Sequence, residues 1–235
     1  MNELRAVLIG ASGLTGNLLL EELLHDKQFS SVRVLGRSFL NIKHPKLHQE
    51  IVDFNNVESL DKKLGEGEII FCCIGTTLKK VKGDKDLYTE IDSGIPLNVA
   101  RIGLLKGFKK FLIISAVGAN EKSSNFYLNL KGKTENALKQ LSFESLSIFQ
   151  PSVLNGNRKE VRTKERIFQT AMDLLSFMLL GPLEKYRAIG ADNVAKAMAY
   201  DSKQKKKGIH YYTYSKIMDL AHLNRDQRQG ILSHS

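Results

Sequence analysis

The feature that most constrains this chain is a glycine turn between an apolar strand and a helix, close to its first residue. Residues 5–16 read RAVLIGASGLTG, and a leucine-rich stretch follows. A strand of this kind leads the chain into a tight turn, after which the first helical turn directs unpaired backbone N–H groups at one point. The segment therefore predicts the start of an α/β fold and a site for an anion.

Three glycines give the turn its shape. Gly10 permits the tight turn, Gly13 lets a pyrophosphate approach the backbone without a Cβ in the way, and Gly16 lets the helix lie close to the sheet. Ser12 and Thr15 add hydroxyl donors. The spacing is G-x-x-G-x-x-G rather than the usual G-x-G-x-x-G, and no Gly-Lys-Ser/Thr follows, which excludes a Walker loop. The alternative is a glycine-rich turn with no ligand.

Composition limits the class of protein. The 235 residues suit one domain, or one with a small appendage, and 42% hydrophobic with 26% charged residues is typical of a globular protein. No stretch approaches the ~20 apolar residues of a membrane span. The first strand begins almost at once and leaves no room for a signal peptide, so we expect no integral membrane segment and a cytoplasmic location.

The net charge and the histidine and cysteine residues limit which classes of partner and metal the chain is expected to bind. The net charge is +10, with lysine runs such as 79–82 and 205–207. These runs either form solvated surfaces or attract an anionic cofactor or substrate by their overall charge. They come with no aromatic interleaving and no nucleic-acid motif, so we expect no nucleic-acid partner. The six histidines show no ligand spacing, and the adjacent Cys72 and Cys73 are expected to be packing residues, so we predict no metal.

Strand-like and helix-like segments alternate along the chain, which predicts a doubly wound parallel sheet with helices on both faces. A long helical segment, 84–106, contains Pro96, which is expected to kink or break it. The predicted strands before Pro151 are 4–10, 31–36, 48–53, 68–74, 110–115 and 145–150, and after it we expect a short strand at 186–189 and another at 209–214.

The regular alternation of strand-like and helix-like segments ends after Pro151. We interpret 151–223 as a small substrate cap on the carboxyl edge of the sheet, and 224–235 as a polar tail of the same single domain. The cap includes an apolar helix at 164–180. This helix suggests an apolar or aromatic carbonyl substrate, or it only packs on the sheet.

A tyrosine and a lysine four residues apart are the best candidates for chemistry. Tyr127 and Lys131 have the Tyr-x-x-x-Lys spacing that places both on one face of a helix. An ammonium beside the phenol is expected to lower the tyrosine pKa and make a usable general acid or base. Ser115, at the end of strand five, is expected to bond a substrate carbonyl or the tyrosine hydroxyl. The alternative is a surface helix pair.

The same spacing occurs again at Tyr212 and Lys216. We interpret this second match as chance, because it falls in the predicted cap with no strand end of the sheet nearby.

Residues at other strand ends extend the site toward a dinucleotide. Arg37 follows strand two, where an acidic residue would select NAD and an arginine receives the 2′-phosphate of NADP. Asp53 and Phe54 end strand three, where a side chain flanks an adenine. Gly75 ends strand four and lets the backbone approach the ribose and pyrophosphate. The alternatives are a solvated arginine, a helix-capping aspartate and a plain turn.

Together these segments resemble the atypical short-chain dehydrogenase/reductases, in particular the Tat-interactive-protein-like oxidoreductases and their bacterial relatives. The similarity runs from about Leu4 to Ala197. It implies a Rossmann fold that binds NADPH, with Tyr127 as proton donor or acceptor, Lys131 as its partner and Ser115 as the hydroxyl at strand five. The segments that carry it are Gly10–Gly16, Gly36-Arg37, Val52-Asp53-Phe54, Phe71–Thr77 and, above all, SSNFYLNLKG at 123–132.

The resemblance also implies cofactor contacts. Pro151, Val153 and Leu154 match the family segment beside the nicotinamide, and Arg162 matches a later contact. The full predicted cofactor-binding set is Gly10, Ala11, Ser12, Gly13, Leu14, Thr15, Gly16, Arg37, Ser38, Asp53, Phe54, Ile74, Gly75, Thr76, Tyr127, Lys131, Pro151, Val153, Leu154 and Arg162. The chain departs from the family where Leu14 replaces an acidic residue, where Gln150 replaces an arginine, and where Ser115 stands alone instead of in a serine pair.

Three functions remain open at this point. The first is NADPH-dependent carbonyl reduction, or the reverse oxidation, with Tyr127 handling the proton. The second is an NADPH-sensing regulatory protein that contacts a protein partner and has little turnover. The third is an epimerase-like enzyme acting on sugar nucleotides, for which the chain is short. The sequence does not indicate the oligomeric state.

Overall fold

Seven of the apolar segments form one parallel β-sheet. The structure is a computed structural model that describes residues 3–156 and 181–232. Neighbouring strands all run parallel, and the register places Ala6 beside both Val32 and Ile69. The strands of this sheet are β1 (Leu4–Ile9), β2 (Phe29–Gly36), β3 (Leu47–Ile51), β4 (Ile69–Cys72), β5 (Lys110–Ile114), β6 (Ser145–Phe149) and β9 (Gly208–Tyr212), and a separate short pair is β7 (Leu154–Asn155) with β8 (Ile189–Gly190).

The order of strands across the sheet is β3-β2-β1-β4-β5-β6-β9. The chain moves outward from β1 to β3 and then returns to add β4 on the other side of β1. This reversal opens a crevice at the carboxyl ends of β1 and β4, where ligands bind in open α/β sheets. The predicted doubly wound parallel sheet is therefore confirmed.

Helices cover both faces of the sheet because its central strands are apolar on both sides. They are α1 (Leu14–His25), α2 (Val57–Leu64), α3 (Lys85–Thr89), α4 (Ile95–Leu105), α5 (Phe126–Lys139), α6 (Ala191–Ser202) and α7 (Tyr214–Leu232). In β1, Ala6 and Leu8 pack with α1, α6 and α7, whereas Val7 and Ile9 pack with α2, α4 and α5. The two faces thus have separate cores.

The long helical segment around Pro96 is interrupted, as its sequence predicts. A π-helical turn, Glu90–Gly94, separates α3 from α4, and Pro96 is the second residue of α4. Gly94 and Ile95 both have helical backbone angles, so Pro96 lies within a continuous helical run, in which its missing N–H leaves one helical hydrogen bond unmade. The wide turn just before it lies against the crevice.

The C-terminal part of the chain does more than the predicted cap and tail. β9 joins the main sheet beside β6, and α6 packs on α1 and α7. Helix α7 continues to Leu232, which corrects the prediction of a polar tail from residue 224. It continues because Asn224 is buried and donates to Glu22 at 3.0 Å. The apolar helix predicted at 164–180 lies outside the described residues.

Candidate active site

The glycine turn brings the end of β1 against both α1 and the end of β4. Gly10 has φ +84°, and a Cβ at this position would lie 2.5 Å from the carbonyl carbon of Cys73. A Cβ on Gly16 would lie 2.1 Å from the Gly10 oxygen. Both positions therefore require glycine for close backbone packing, and Gly10 also for its left-handed conformation.

The N-terminus of α1 is open toward the crevice. Gly13 precedes the helix, with no side chain capping the first N–H groups and no acidic residue in the first turn. Thr15 is buried, and Ser12 is exposed beside it. Free N–H groups and the positive end of the helix dipole favour an anion at this point. The arrangement fits the pyrophosphate of a dinucleotide.

A cleft of about 200 Å³ lies where these elements meet. It joins the start of α1 to the carboxyl ends of β4, β5 and β6 and to helix α5. The predicted site residues in its wall are Gly13, Leu14, Thr15, Ile74, Gly75, Thr76, Ser115, Tyr127, Lys131, Pro151 and Leu154, and its other wall residues are Cys73, Thr77, Lys80, Asp92, Ile114 and Ser152.

Helix α5 presents the tyrosine and the lysine of the motif to this cleft. Asn125 caps the helix by accepting from Leu128 N at 3.1 Å, so Tyr127 lies in its first turn. Tyr127 is 38% exposed and Lys131, one turn later, is buried. The Lys131 ammonium lies 5.9 Å from the centre of the Tyr127 ring. The two side chains therefore lie close together in the cleft wall, with Lys131 buried and Tyr127 partly exposed.

An aspartate that the sequence did not single out holds the lysine. Lys131 Nζ lies 3.0 Å from Asp92 Oδ2, and both side chains are almost fully buried. Asp92 Oδ1 also accepts from the backbone N–H of Thr76 at 2.7 Å. The π-helical turn Glu90–Gly94 supplies this aspartate. The ion pair thus ties α5 to the loop after β4.

The pKa of Tyr127 moves opposite to the prediction. Burial has the largest effect and raises it, the Lys131 ammonium lowers it by a smaller amount, and the charge of Asp92 adds to the rise. For Lys131 itself, burial has the largest single effect and lowers the pKa, but the charge of Asp92, the charge of Tyr127 and the hydrogen bond to Asp92 together outweigh burial, and the net shift is upward. At neutral pH the pair is a protonated phenol beside an ammonium.

Ser115 lines the cleft, but its hydroxyl donates a hydrogen bond to a buried glutamate. Ser115 Oγ donates to Glu135 Oε1, and Gln150 Nε2 donates to the same carboxylate at 2.9 and 3.1 Å. Burial raises the pKa of Glu135, and the two hydrogen bonds oppose the rise. Glu135 is one helical turn beyond Lys131 and was also missed by sequence reasoning.

A helical-face criterion would have found Glu135 but not Asp92. Tyr127, Lys131 and Glu135 recur at intervals of four and so share one face of α5. Asp92 belongs to a distant segment, and its pairing with Lys131 depends on how the π-helical turn packs.

Of the residues predicted to bind the adenine end of the cofactor, some are exposed and one is buried in the core. Arg37 and Ser38 are exposed after β2, and Arg37 makes no ion pair with the described residues. Asp53 is exposed and accepts from Asn55 N at 3.0 Å, and Phe54 is buried in the core. The helix-capping alternative for Asp53 fails, because Asn56 caps α2.

The segment after β6 lies partly beside the cleft. Pro151 and Leu154 contribute to its wall, and Val153 is exposed. Ala11 is buried at the glycine turn. Arg162 lies outside the described residues, so its predicted contact stays a prediction.

The second Tyr-x-x-x-Lys match has a different environment. Tyr212 is the last residue of β9, at a strand end of the sheet, which corrects its placement in a cap. Its hydroxyl donates to Asp201 Oδ1 at 2.7 Å and is also bonded to Lys206. Lys216 lies on α7 and is exposed. Tyr212 is therefore held by a separate ion pair, away from the cleft.

Two relatives have substantial sequence similarity to the chain, although no protein-family profile matches it. The rat protein HTATIP2 is 35% identical over 161 residues, which is 67% of this chain and 66% of the rat protein. Protein FMP52 of Meyerozyma guilliermondii is 31% identical over 157 residues, which is 66% of this chain and 67% of that protein. The chain thus matches about two thirds of the length of each.

Solved structures with the same fold are more distant in sequence. The Bordetella bronchiseptica enzyme WbmH, solved with NAD⁺, has a TM-score of 0.69 and 12% identity, covering 90% of this chain and 76% of that one. A UDP-N-acetylglucosamine 4-epimerase from Bacillus cereus has a TM-score of 0.66 and 14% identity, covering 92% and 83%. These similarities establish the fold.

The comparisons correct the predicted cytoplasmic location. FMP52 proteins of several fungi, including Meyerozyma guilliermondii and Debaryomyces hansenii, are named mitochondrial proteins. Among residues 3–156 and 181–232, no helix has both the length and the apolar character needed to cross a bilayer.

Fold and sequence similarity agree on the class of protein. The resemblance first indicated by the glycine turn and by the segment around Tyr127 is confirmed by relatives at 35% and 31% identity. The chain belongs, with HTATIP2 and FMP52, to the atypical short-chain dehydrogenase/reductases, a family of NAD(P)-dependent oxidoreductases.

Proposed function

We propose that this protein is an NADP(H)-dependent oxidoreductase that reduces a carbonyl compound or oxidises the corresponding alcohol. The observation that carries this proposal is the shared cleft. The first residues of α1, Tyr127, Lys131 and Ser115 all line this cleft. Anion binding and proton transfer are thus available within one small volume.

Each residue has a distinct task in this proposal. Tyr127 gives a proton to the oxygen of the carbonyl compound, for which its raised pKa keeps the phenol protonated. Lys131 has three N–H donors, one used by Asp92, which leaves donors for ribose hydroxyls. The first N–H groups of α1 bind the pyrophosphate. The nicotinamide, when bound, supplies the hydride.

Replacing the phenol tests the chemical step. Tyr127→Phe removes the proton donor with little change in volume, and we expect activity to fall by about 10²–10⁴-fold while NADPH affinity changes little. A screen of aldehydes, ketones and quinones that follows NADPH consumption provides the assay. Tyr212→Phe is the matched control, because that hydroxyl lies outside the cleft wall. Wild-type activity that survives Tyr127→Phe would refute the mechanism.

Arg37 tests the choice of cofactor. Its exposed guanidinium after β2 has no carboxylate partner among the described residues, so it is available for a 2′-phosphate. Arg37→Ala is expected to weaken NADPH binding about tenfold to a hundredfold, as loss of a charge-assisted bond requires, and to leave NADH affinity nearly unchanged. Calorimetric titration measures both, with the exposed Arg101 of α4 as the control for an arginine-to-alanine change. Equal affinity of the wild type for NADH and NADPH would contradict the preference.

Gly13 tests the pyrophosphate position. Gly13→Val places a branched side chain where the anion approaches α1, so we expect NADPH binding to be lost. A folded variant that binds NADPH with wild-type affinity would rule out this position.

One observation favours a second function. The Ser115 hydroxyl bonds to Glu135 rather than pointing freely into the cleft. This geometry also suits an NADPH-responsive regulatory protein with little turnover. Tight NADPH binding with no carbonyl compound reduced would support it, and UDP-glucose in the same screen tests the epimerase-like alternative.

A further inference from the structure

Glu135 is a buried acid placed directly behind a hydroxyl of the candidate active site. Ser115 lies in the cleft wall, and Glu135, 5% exposed, lies behind it. Ser115 bonds to one oxygen of the carboxyl group, and Gln150 donates to both. Glu135 therefore reaches the cleft only through the Ser115 hydroxyl.

A serine hydroxyl has a single hydrogen, so this contact has a chemical consequence. When Glu135 is ionised it only accepts hydrogen bonds, and Ser115 must donate its hydrogen inward. Ser115 then presents lone pairs to the cleft, which suit the O–H of an alcohol. When Glu135 holds a proton it donates to Ser115, whose own hydrogen turns outward and suits a carbonyl oxygen.

The charges around Glu135 make both states accessible. Its direct donors, Ser115 from the end of β5 and Gln150 after β6, are neutral. The cations that act on it come from its own helix: Lys139, which makes no ion pair with it, and Lys131, which is paired with Asp92 of the π-helical turn. Among the described residues, no Lys or Arg nitrogen forms a salt bridge with Glu135, and burial favours the protonated acid.

We propose that Glu135 is a positioning residue whose proton decides whether Ser115 offers a hydrogen or a lone pair to the oxygen of a ligand in the cleft. The inference rests on the proposed function, because it assigns carbonyl binding to the protonated state and alcohol binding to the ionised state. No atoms are exchanged with the ligand: one proton moves between solvent and Glu135, and the Ser115 hydroxyl rotates.

The pH profile of Glu135→Gln tests the proposal. The amide keeps a donor toward Ser115 at every pH and imitates the protonated acid. With 4-nitrobenzaldehyde and NADPH, the wild-type kcat/KM is expected to fall about tenfold per pH unit above the Glu135 pKa, and that of Glu135→Gln to stay flat over the same pH range. Any loss of activity from ionisation of Tyr127 is expected at higher pH, because the pKa of Tyr127 is raised. With 4-nitrobenzyl alcohol and NADP⁺, the wild type is expected to gain activity as pH rises over the same range.

Glu144→Gln is the matched control, because this half-exposed carboxylate is remote from the cleft wall. It is expected to keep the wild-type profile. Identical pH profiles of Glu135→Gln and the wild type would overturn the proposal.

An infrared pH titration tests the proposal without turnover. The wild type is expected to show the C=O band of a protonated buried carboxyl that disappears as pH rises. Glu135→Gln lacks this band, and Ser115→Ala shifts its frequency because a hydrogen-bond partner is lost. If no carbonyl compound is reduced but the band behaves in this way, the proposed function fails and the Glu135–Ser115 coupling stands. Absence of the band at every pH, or a band unchanged by Ser115→Ala, would overturn the coupling itself.

Discussion

Two buried carboxylates, one on α5 and one paired with a lysine of α5, have different partners. Asp92 accepts from the Lys131 ammonium at 3.0 Å and from Thr76 N at 2.7 Å. Among the described residues, Glu135 accepts only from Ser115 and Gln150, which are neutral. Both carboxylates are at most 5% exposed. The comparison teaches that burial alone does not decide the role of an acid: one carboxylate is paired with a cation, whereas the other has neutral donors that let it hold a proton.

The contrast between the two carboxylates is tested first by removing the charge of the one that is paired with Lys131. Asp92→Asn leaves the Lys131 ammonium buried without a counter-charge, and loss of one partner of such a pair costs about 3–5 kcal/mol. We expect a decrease of that size in the free energy of unfolding, measured by urea denaturation at neutral pH. A decrease below about 1 kcal/mol would show that the ammonium finds another partner or solvent.

Removing the cation as well tests the cause of that loss. In the double variant Asp92→Asn with Lys131→Met no charge remains buried, so most of the lost stability is expected to return. The coupling in the double-mutant cycle is expected to be about 1–3 kcal/mol. Strictly additive effects would contradict the ion-pair explanation.

The same change at the other carboxylate has a small effect. Glu135→Gln keeps an acceptor and a donor for Ser115 and Gln150, and it leaves no charge unpaired. The expected change in unfolding free energy is about 1 kcal/mol or less. A loss as large as that of Asp92→Asn would mean that Glu135 compensates a cation, and the contrast between the two sites would disappear.

The smallest effect is a pH dependence of stability that the Glu135 variant lacks. Burial raises the folded-state pKa of Glu135 above its unfolded value. Its contribution to stability is therefore fully present below the unfolded pKa and is lost as pH rises through the folded pKa. The stability difference between wild type and Glu135→Gln is expected to favour the wild type at acid pH and to shift toward the variant at higher pH. Parallel curves from acid to neutral pH would contradict the raised pKa.

The sequence predicts local features of this molecule better than contacts between distant segments. The glycine turn and the Tyr127–Lys131 spacing depend on a few consecutive residues, and the structure places both in the cleft wall. The break near Pro96 was predictable, but not the π-helical turn that brings Asp92 to Lys131. The predicted shift of the Tyr127 pKa had the wrong sign because burial of the phenol, which outweighs the effect of Lys131, was not considered.

Long-range strand pairing explains the other errors. Tyr212 has the same motif spacing as Tyr127, yet it ends a strand of the main sheet, since β9 pairs with β6. No local pattern states which strand a late segment joins. The Arg37 and Arg162 cofactor contacts remain predictions, the first because an exposed side chain shows no partner and the second because it lies outside the described residues.

The position of β9 has a consequence for synthesis of the protein on the ribosome. All five residues of β6 are buried in the finished molecule, and one edge of that strand is covered only by residues 208–212. While the chain emerges, this edge of β6 therefore stays open until residues 208–212 have been made. Such an edge invites pairing with another nascent chain. Production of the folded protein is therefore expected to be more sensitive to truncation or slow translation before Gly208 than to changes in the early strands.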